Sequence, residues 1–194
     1  MSSLYNFEAC GTFCGAFVFD DEESEEKTGL LQVDYFGGKM SVRTTPDVAE
    51  KLANKPIGCE CRISGDVFVQ GGKFKPVLSK ISLQGDKDFE RVNGEELFRG
   101  MIFQGPAVLS DKVHYTSRKG TGVYTVKCML MGASVTLDVD PEGFDSLPVG
   151  RVQIYCRLLS EVSSKTVMGE RKLSVTNWAN ILTAERLGEG RKRA

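Results

Sequence analysis

Residues 29–42 read GLLQVDYFGGKMSV, and a related pattern, GVYTVKCMLMGASV, returns at residues 122–135. Two further pairs of segments match in the same order: FCGAFV at 13–18 with FQGPAV at 103–108, and CRISGDV at 61–67 with CRLLSEV at 156–162. The offset grows from 90 to 93 to 95 residues, so small insertions separate the matched segments, as they do in loops. A repeat of this length corresponds to a small domain rather than a solenoid unit. We therefore predict two copies of one module, residues 1–88 and residues 89–194.

The opening segment alternates in hydrophobicity with a period of two. Leu31, Val33 and Tyr35 recur at every second position, and after a glycine turn the alternation resumes over residues 39–43. This period is typical of strands with one buried face, so the segment is predicted to be a β-hairpin. Further elements are predicted at matched places in the two copies: helices at 46–54 and 141–147, and strand pairs at 59–69 with 74–83 and 151–162 with 172–181.

A glycine lies in the middle of the first strand of each copy, Gly15 and Gly105. Glycine permits a sharp bend there, which lets one strand take part in two layers of a closed sheet. Three strands, a helix and two strands form the order of a five-stranded Greek-key barrel. Each copy therefore resembles an OB-fold, and the plan is similar to that of single-stranded DNA-binding proteins of this fold. The predicted fold is all-β, with two consecutive five-stranded OB barrels, each carrying a short helix between strands 3 and 4.

The resemblance implies where an oligonucleotide would bind. In such barrels it crosses the outer face of strands 2 and 3, where bases stack on aromatic rings and Lys or Arg side chains contact phosphates. The outward-facing candidates in the first copy are Phe36, Lys39, Arg43, Phe68, Lys73, Phe74 and Lys75. The second copy supplies Lys112, Tyr115, Arg118 and Lys119 from the loop predicted after its first strand, and Lys165, Arg171 and Lys172 from its last hairpin. For Phe36 and Phe74 an alternative remains open, namely that they cover the barrel end or pack against the other copy.

The charge is distributed unevenly between the copies. Residues 1–88 carry ten Lys and Arg against fourteen Asp and Glu, a net charge of −4, whereas residues 89–194 carry fifteen against twelve, a net charge of +3. The acidic segment 20–26 of the first copy lies where a phosphate-binding loop is expected and would repel phosphate. The second copy is therefore the better candidate for binding an anionic polymer.

Six cysteines have two alternative interpretations. Cys61 and Cys156 occupy matched positions and alternate with apolar residues, which is typical of small buried side chains. The alternative is a metal site built from Cys10, Cys14, Cys59 and Cys61. Their spacing does not follow the usual C-x-x-C pattern and the second copy has no counterpart set, so we predict no metal.

No catalytic pattern stands out in the sequence. The sole histidine, His114, lies in a polar segment without a nucleophile pattern, and no phosphate-binding glycine loop of the Walker or Rossmann type occurs. We expect no enzymatic activity, no cofactor, no membrane segment and a cytoplasmic location. The predicted function is sequence-tolerant binding of single-stranded nucleic acid, DNA rather than RNA, in replication, recombination or repair. The alternative is a structural or adaptor protein whose barrels contact a protein partner or a second copy of the chain.

Overall fold

The fold is described by a computed structural model of the chain. It covers residues 5–20, 26–35, 38–87, 89, 102–130, 132–167 and 170–187. The first copy contains five strands and one helix: β1 (Tyr5–Asp20), β2 (Lys27–Tyr35), β3 (Gly38–Thr44), α1 (Pro46–Ala53), β4 (Glu60–Gln70) and β5 (Lys73–Leu83). The second copy follows the same order: β6 (Ile102–Thr116), β7 (Gly122–Leu130), β8 (Ala133–Val139), α2 (Pro141–Phe144), β9 (Gly150–Val167) and β10 (Glu170–Arg186).

The strands of the first copy close into a barrel. β1 pairs with β2 through one part of its length and with β4 through another, and β3 pairs with β2 and, in parallel, with β5. β4 and β5 complete the ring as an antiparallel hairpin. In the second copy β6 pairs with β7 and β9, and β10 pairs in parallel with β8. The predicted all-β class with a closed five-stranded barrel is therefore confirmed.

The alternating pattern of the opening segment decides which side chains enter the core. Leu31, Val33 and Tyr35 on β2 are buried, as are Met40 and Val42 on β3. The helix α1 follows directly, because the Thr45 hydroxyl accepts a hydrogen bond from the backbone N–H of Val48 at 3.4 Å and caps the helix N-terminus. Across the described residues, no helix is both long and apolar enough to cross a membrane.

The two strand glycines serve different purposes. Gly15 has a φ of 129° and lies at the register shift between β1 and β2, so it bends the strand as predicted. Gly105 has no such conformation, and the prediction that it bends β6 is wrong. A Cβ atom at Gly105 would lie 1.7 Å from Cε1 of the Tyr5 ring. The absence of a side chain there makes room for an aromatic residue of the first copy, and β6 bends instead between Leu109 and Lys112.

The two copies share one hydrophobic core. β1 and β6 pair at Phe7 and Phe103, and the buried side chains of both copies form a single cluster. The Phe103 ring lies 5.3 Å from the Tyr5 ring and 5.7 Å from the Phe74 ring, measured between centroids. The Tyr5 hydroxyl donates a hydrogen bond to the carbonyl of Pro106 at 2.6 Å. Aromatic packing of this kind adds about 0.5–1.5 kcal/mol per pair to the effect of burial.

The hairpin of β9 and β10 is longer than the sequence pattern predicts and continues past its own barrel. We call residues 160–167 and 170–177 the arm. Residues of β9 up to Leu158 and of β10 from Ala179 onward face the core of the second copy. Beyond them the same face of the hairpin lies against the first copy. The arm joins the copies there because the backbone N–H of Ser41 donates to the Ser160 hydroxyl at 3.0 Å, and the side-chain amide of Asn177 donates to the carbonyl of Phe74 at 3.1 Å.

The contact between Gly105 and Tyr5 predicts that alanine at position 105 lowers the stability of the protein more than alanine at an uncrowded glycine position. Gly105→Ala should destabilise the protein by roughly 1–3 kcal/mol, because the Tyr5 ring must move and its hydrogen bond to Pro106 must break. Gly143→Ala is the matched control, since a Cβ there meets nothing within 4 Å. Urea unfolding of both variants measures the difference. If Gly105→Ala and Gly143→Ala had equal free energies of unfolding, the packing of the Tyr5 ring against Gly105 would not contribute to stability.

Candidate nucleic-acid interface

The two copies have matched sheet faces, of which one is covered and the other is exposed. In the first copy, Phe17 pairs across β1 and β2 with Leu30, and in the second copy Tyr115 pairs across β6 and β7 with Val123. Leu30 and Val123 are 93 positions apart, the offset of the sequence repeat. All four residues lie on outer faces: Leu30 and Phe17 alternate with the core residues Leu31 and Ala16, and Val123, opposite Tyr115, alternates with Tyr124, which packs against the core. The matched faces can therefore be compared position by position.

The arm covers the outer face of the first copy. Leu30 is fully buried and Phe19 is 7% exposed, although neither belongs to the shared core. Val162 and Leu173 of the arm line a cavity together with residues of β1 and β2. Ser41 on β3 is also buried, beneath Ser160. The face on which an OB barrel is expected to bind an oligonucleotide is thus occupied in this copy by another part of the same chain.

The corresponding face of the second copy is open. Four large apolar side chains on it are exposed: Val108 44%, Val113 40%, Tyr115 51% and Met129 45%. The exposed Lys127 lies among them and makes an ion pair with Asp111 at 3.2 Å. On β8 the face ends in the exposed side chains of Ser134 and Thr136. We call this set the open face; it combines an aromatic ring, apolar contact area and the ion pair of Lys127 with Asp111.

A tight turn places two more cations at one end of the open face. Residues 117–121 connect β6 to β7, and the backbone N–H of Ser117 donates to the carbonyl of Thr121 at 2.8 Å. Gly120 adopts a φ of 79°, which permits the turn, and its N–H donates back to the carbonyl of Ser117. Arg118 and Lys119 are exposed in this turn. Their predicted placement on an exposed segment after the first strand holds.

A cleft lies at the other end of the open face, between the two copies. Its volume is about 250 Å³. The residues that line it are Gly72, Lys73 and Phe74 of the first copy and Ser134, Val135, Thr136, Asn177 and Trp178 of the second. Trp178 is half-buried and Lys73 is exposed, so the cleft offers an indole ring beside an ammonium group. The open face therefore continues without interruption from β8 into an aromatic cleft.

Two predicted contact residues have a different role in the structure. Phe74 is 3% exposed and packs on Phe103, so the prediction that it stacks on a base is wrong and the alternative, packing against the other copy, is correct. The Lys112 ammonium donates to the carbonyls of Phe144, Asp145 and Leu147 at 2.8, 3.0 and 3.5 Å. These bonds use the three donors of the ammonium at the end of α2, so the prediction of a phosphate contact at Lys112 is also wrong.

The predicted loop after the first strand of the second copy is shorter than expected. The sequence pattern assigned Lys112 and Tyr115 to this loop, but β6 continues to Thr116 and includes both residues. The register shift between Leu109 and Lys112 breaks the alternating pattern there, which hides the strand from a sequence pattern. Consequently Tyr115 projects from a strand rather than a mobile loop. His114 is also on this strand and stacks on Tyr124 at 4.1 Å between ring centroids.

The remaining predicted residues fall on three parts of the molecule. Lys39 is exposed and Arg43 is half-buried, both on β3 of the first copy. Phe68 and Lys75 are half-buried and pair with each other across β4 and β5. Lys165 and Lys172 pair with each other on the arm, and Arg171 directly precedes Lys172 in sequence. Phe36 lies outside the described residues. The arm packs on the first copy, whereas the turn at 117–121 lies at one end of the open face.

Sequence reasoning missed several residues of the open face. Lys127 and Met129 point outward because they alternate with the buried Val126 and Cys128, so the period of two could have identified them. Trp178 lies at the cleft between the copies. No local pattern indicates this position, because the cleft is formed by residues about 100 positions apart.

The cysteines are all free thiols, and three of them are buried. Burial raises the pKa of Cys61 and Cys128 to about 12 and that of Cys156 further still. The expected role of Cys61 and Cys156 as small core side chains agrees with this burial. Within the part of the chain that the structure describes, no group of three or more His, Cys, Asp or Glu side chains is arranged to hold a metal ion.

Two solved structures resemble the chain over its full length. The wild-type single-stranded DNA binding protein from Thermus aquaticus superposes with a TM-score of 0.55 at 15% sequence identity, covering 100% of this chain and 98% of that one. A deletion mutant of the same protein gives a TM-score of 0.54 at 14% identity and covers 98% of both chains. No protein-family profile and no curated protein sequence matches the chain. The likeness establishes the fold and confirms the resemblance inferred from the sequence.

The raised pKa values predict that stability is lost at alkaline pH. Burial raises the pKa of Tyr5 and Tyr35 to about 12 from an ordinary 10.0, and that of Cys61 and Cys128 to about 12 from 9.0. The folded state therefore holds protons that the unfolded state releases, so this contribution is complete below about pH 9 and declines toward about pH 12. Urea unfolding from about pH 8 to about pH 10.5 should show a falling free energy of unfolding.

Cys128→Val is the matched variant for this titration, because it keeps an apolar side chain of similar size without a proton to release. It should make the decline shallower than in the parent protein. A free energy of unfolding that stays constant across the same pH range would contradict the burial of these groups.

Proposed function

We propose that the chain consists of two OB modules, residues 1–88 and 89–194, each with its helix between the third and fourth strands, and that it binds single-stranded nucleic acid without catalysing a reaction. DNA is proposed rather than RNA. The observation that carries the proposal is the open face, where Tyr115, exposed apolar side chains and Lys127 lie between a turn bearing two cations and a cleft bearing Trp178.

The residue types of the open face suit a single strand. Tyr115 and Trp178 would stack on bases, an interaction worth about 1–3 kcal/mol per base and available to every base. Arg118, Lys119 and Lys73 would contact phosphates and release counterions. Exposed apolar side chains such as Met129 would cover the faces of neighbouring bases. This combination gives binding that tolerates many sequences, because none of these contacts reads a base edge.

The proposal assigns the binding to the second copy. Its net charge is +3, whereas the first copy carries −4. The matched face of the first copy is covered by the arm, with Leu30 fully buried. The similarity of the fold to a protein whose name records single-stranded DNA binding supports the same ligand class for this chain.

A second candidate function has one specific observation in its favour. The exposed Val108 and Met129 lie directly opposite each other on β6 and β7 and form an apolar patch. Such patches also occur where a protein partner or a second copy of the chain docks. The two functions differ in their salt dependence, because apolar docking does not release counterions from a polymer.

Fluorescence anisotropy of a labelled oligo-dT of about thirty nucleotides, titrated at two salt concentrations, tests the proposal. Binding should weaken steeply with salt. The double variant Arg118→Glu with Lys119→Glu should weaken it by roughly tenfold or more and reduce the salt slope by about 1–2, because fewer counterions are released when phosphate contacts are lost. Tyr115→Ala should weaken binding by roughly 5- to 100-fold through lost stacking.

Lys51→Glu is the matched control, since Lys51 is exposed on α1 of the first copy and carries the same charge. It should leave the affinity within about twofold of the parent. If no binding occurs at low salt, or if Lys51→Glu weakens binding as much as the changes at 118 and 119, the proposed site is incorrect and the adaptor function is favoured.

A further inference from the structure

A cavity of about 250 Å³ lies on the outer face of the first copy, where β5, β4 and β1 run side by side. The lining residues that the structure describes belong to these three strands and none to β2 or β3, the strands that an oligonucleotide is expected to cross on an OB barrel. The cavity is therefore separate from the open face and from the face beneath the arm. The outward side chains that line it are Glu8, Cys10, Arg62, Ser64, Lys80 and Ser82.

Four of these side chains form a square of hydrogen-bond donors on β4 and β5, which we call the donor square. Arg62 lies directly opposite Ser82, and Ser64 lies directly opposite Lys80, so all four project from the same side of the hairpin. Ile63, between Arg62 and Ser64, points into the core instead. Directly opposed side chains have Cβ atoms about 4.5–5.5 Å apart, so one small ligand can contact both hydroxyls and both cations.

The hydroxyl of Ser82 indicates that the cavity holds a ligand. Ser82 is 6% exposed, and its Oγ atom has no hydrogen-bond partner among the described residues. Buried hydroxyls normally have a partner, because an unmade hydrogen bond in the interior lowers stability. This hydroxyl is at the wall of a cavity, so a ligand in the cavity can supply the missing bond.

The donor square suits an oxyanion. The ammonium and the guanidinium donate only, and both hydroxyls can donate, so the square matches a ligand with several acceptor oxygens and negative charge. Water could satisfy one hydroxyl, but the two cations favour an anionic occupant. The carboxylates on the same outer face lie beside the square rather than in it: Glu8 on β1, Glu60 two residues before Arg62 and outside the lining, and Asp66, which accepts a hydrogen bond from Ser79 at 3.4 Å.

We infer that this cavity binds a phosphate group, as inorganic phosphate or as a phosphomonoester, at the donor square. A phosphate group presents several oxygens and up to two negative charges, which match two hydroxyls and two cations. The inference goes beyond the proposed function, because it adds a site for a small anion on another side of the first copy and needs no nucleic acid.

The position of Cys10 provides a direct readout of this site. Cys10 lies directly opposite Arg62 on β1, is half-buried and lines the same cavity. A phosphate bound at Arg62 would cover the thiol, and its charge would disfavour the thiolate, which is the form that reacts with alkylating agents. Occupancy of the cavity should therefore slow the alkylation of Cys10.

Iodoacetamide labelling at about pH 8, where part of an ordinary thiol is ionised and phosphate is chiefly a dianion, measures this protection. Labelling is compared in sodium phosphate and in sodium chloride of the same ionic strength, and each cysteine is quantified by mass spectrometry. Phosphate should slow the labelling of Cys10 by roughly threefold or more. Cys14 and Cys59 are internal controls, because both are half-buried thiols outside the cavity. At matched ionic strength their rates should change by less than about 1.5-fold.

Substitutions in and beside the donor square test its role. Arg62→Gln should abolish the protection of Cys10, whereas Lys51→Gln, at an exposed lysine on α1, should retain it. Ser82→Ala should raise the phosphate concentration needed for half-maximal protection by roughly tenfold, because a hydrogen bond to a charged group is lost. The same variant should not lower the melting temperature, since the hydroxyl it removes has no partner. Glu8→Gln should lower the required phosphate concentration, because it removes a nearby negative charge.

Thymidine 5′-monophosphate and thymidine distinguish the two sources of the phosphate group. Stronger protection by the nucleotide than by inorganic phosphate would identify a phosphomonoester as the ligand, and the reverse order would identify the free anion. Thymidine should give no protection. Equal labelling of Cys10 in phosphate and chloride, equal protection by sodium acetate, or protection that persists in Arg62→Gln would overturn the inference. Because these measurements contain no oligonucleotide, such a result leaves the proposed function of the open face in place.

Discussion

The arm is held on the first copy by two hydrogen bonds, which Ser160 and Asn177 make to the backbone of that copy, and the difference between the two sheet faces depends on this contact. β3 and β5 are parallel neighbours that pair at Arg43 and Val77, and the backbone near this junction needs partners elsewhere. The arm supplies them at Ser41 and Phe74. A buried backbone group without a partner costs about 1–3 kcal/mol, so the arm cannot leave this position without loss of stability. The anchored arm covers one sheet face of the first copy, beside the core that the two copies share through Phe7 and Phe103.

The difference between the two copies follows from the length of one hairpin. β4 and β5 of the first copy are 11 residues each, whereas β9 and β10 of the second are 18 and 17. The longer hairpin reaches across the first copy, and the shorter one reaches only the cleft beside Trp178. As a result the outer sheet face of the first, negatively charged copy is covered, and that of the second, positively charged copy is open. The two copies of the sequence repeat therefore present different surfaces.

Local sequence patterns predicted the strands and helices of this fold. Contacts between residues far apart in sequence determine which side chains remain exposed at the candidate site. The period of two identified the inward residues of β2 and β3, and the matched positions of Cys61 and Cys156 indicated burial. The sequence around Phe74 suggested an exposed ring, because two lysines flank it, as is typical of an exposed hairpin end. Its packing partner, Phe103, lies in the other copy and leaves no local signal. Gly105 had the pattern of a bend, but it accommodates Tyr5 across the boundary between copies. The polar segment 163–165 interrupts the alternation, so the length of the arm could not be predicted.

A strand bound at the open face would extend to Trp178, so the indole reports whether the strand lies there. Trp178 is the sole tryptophan of the chain and lines the cleft where the open face ends. Titration with unlabelled oligo-dT, followed by tryptophan fluorescence and acrylamide quenching, should show saturable loss of emission and protection of the indole from acrylamide. A strand that binds, as judged by an independent measure, while the emission and quenching of Trp178 stay unchanged would contradict the account.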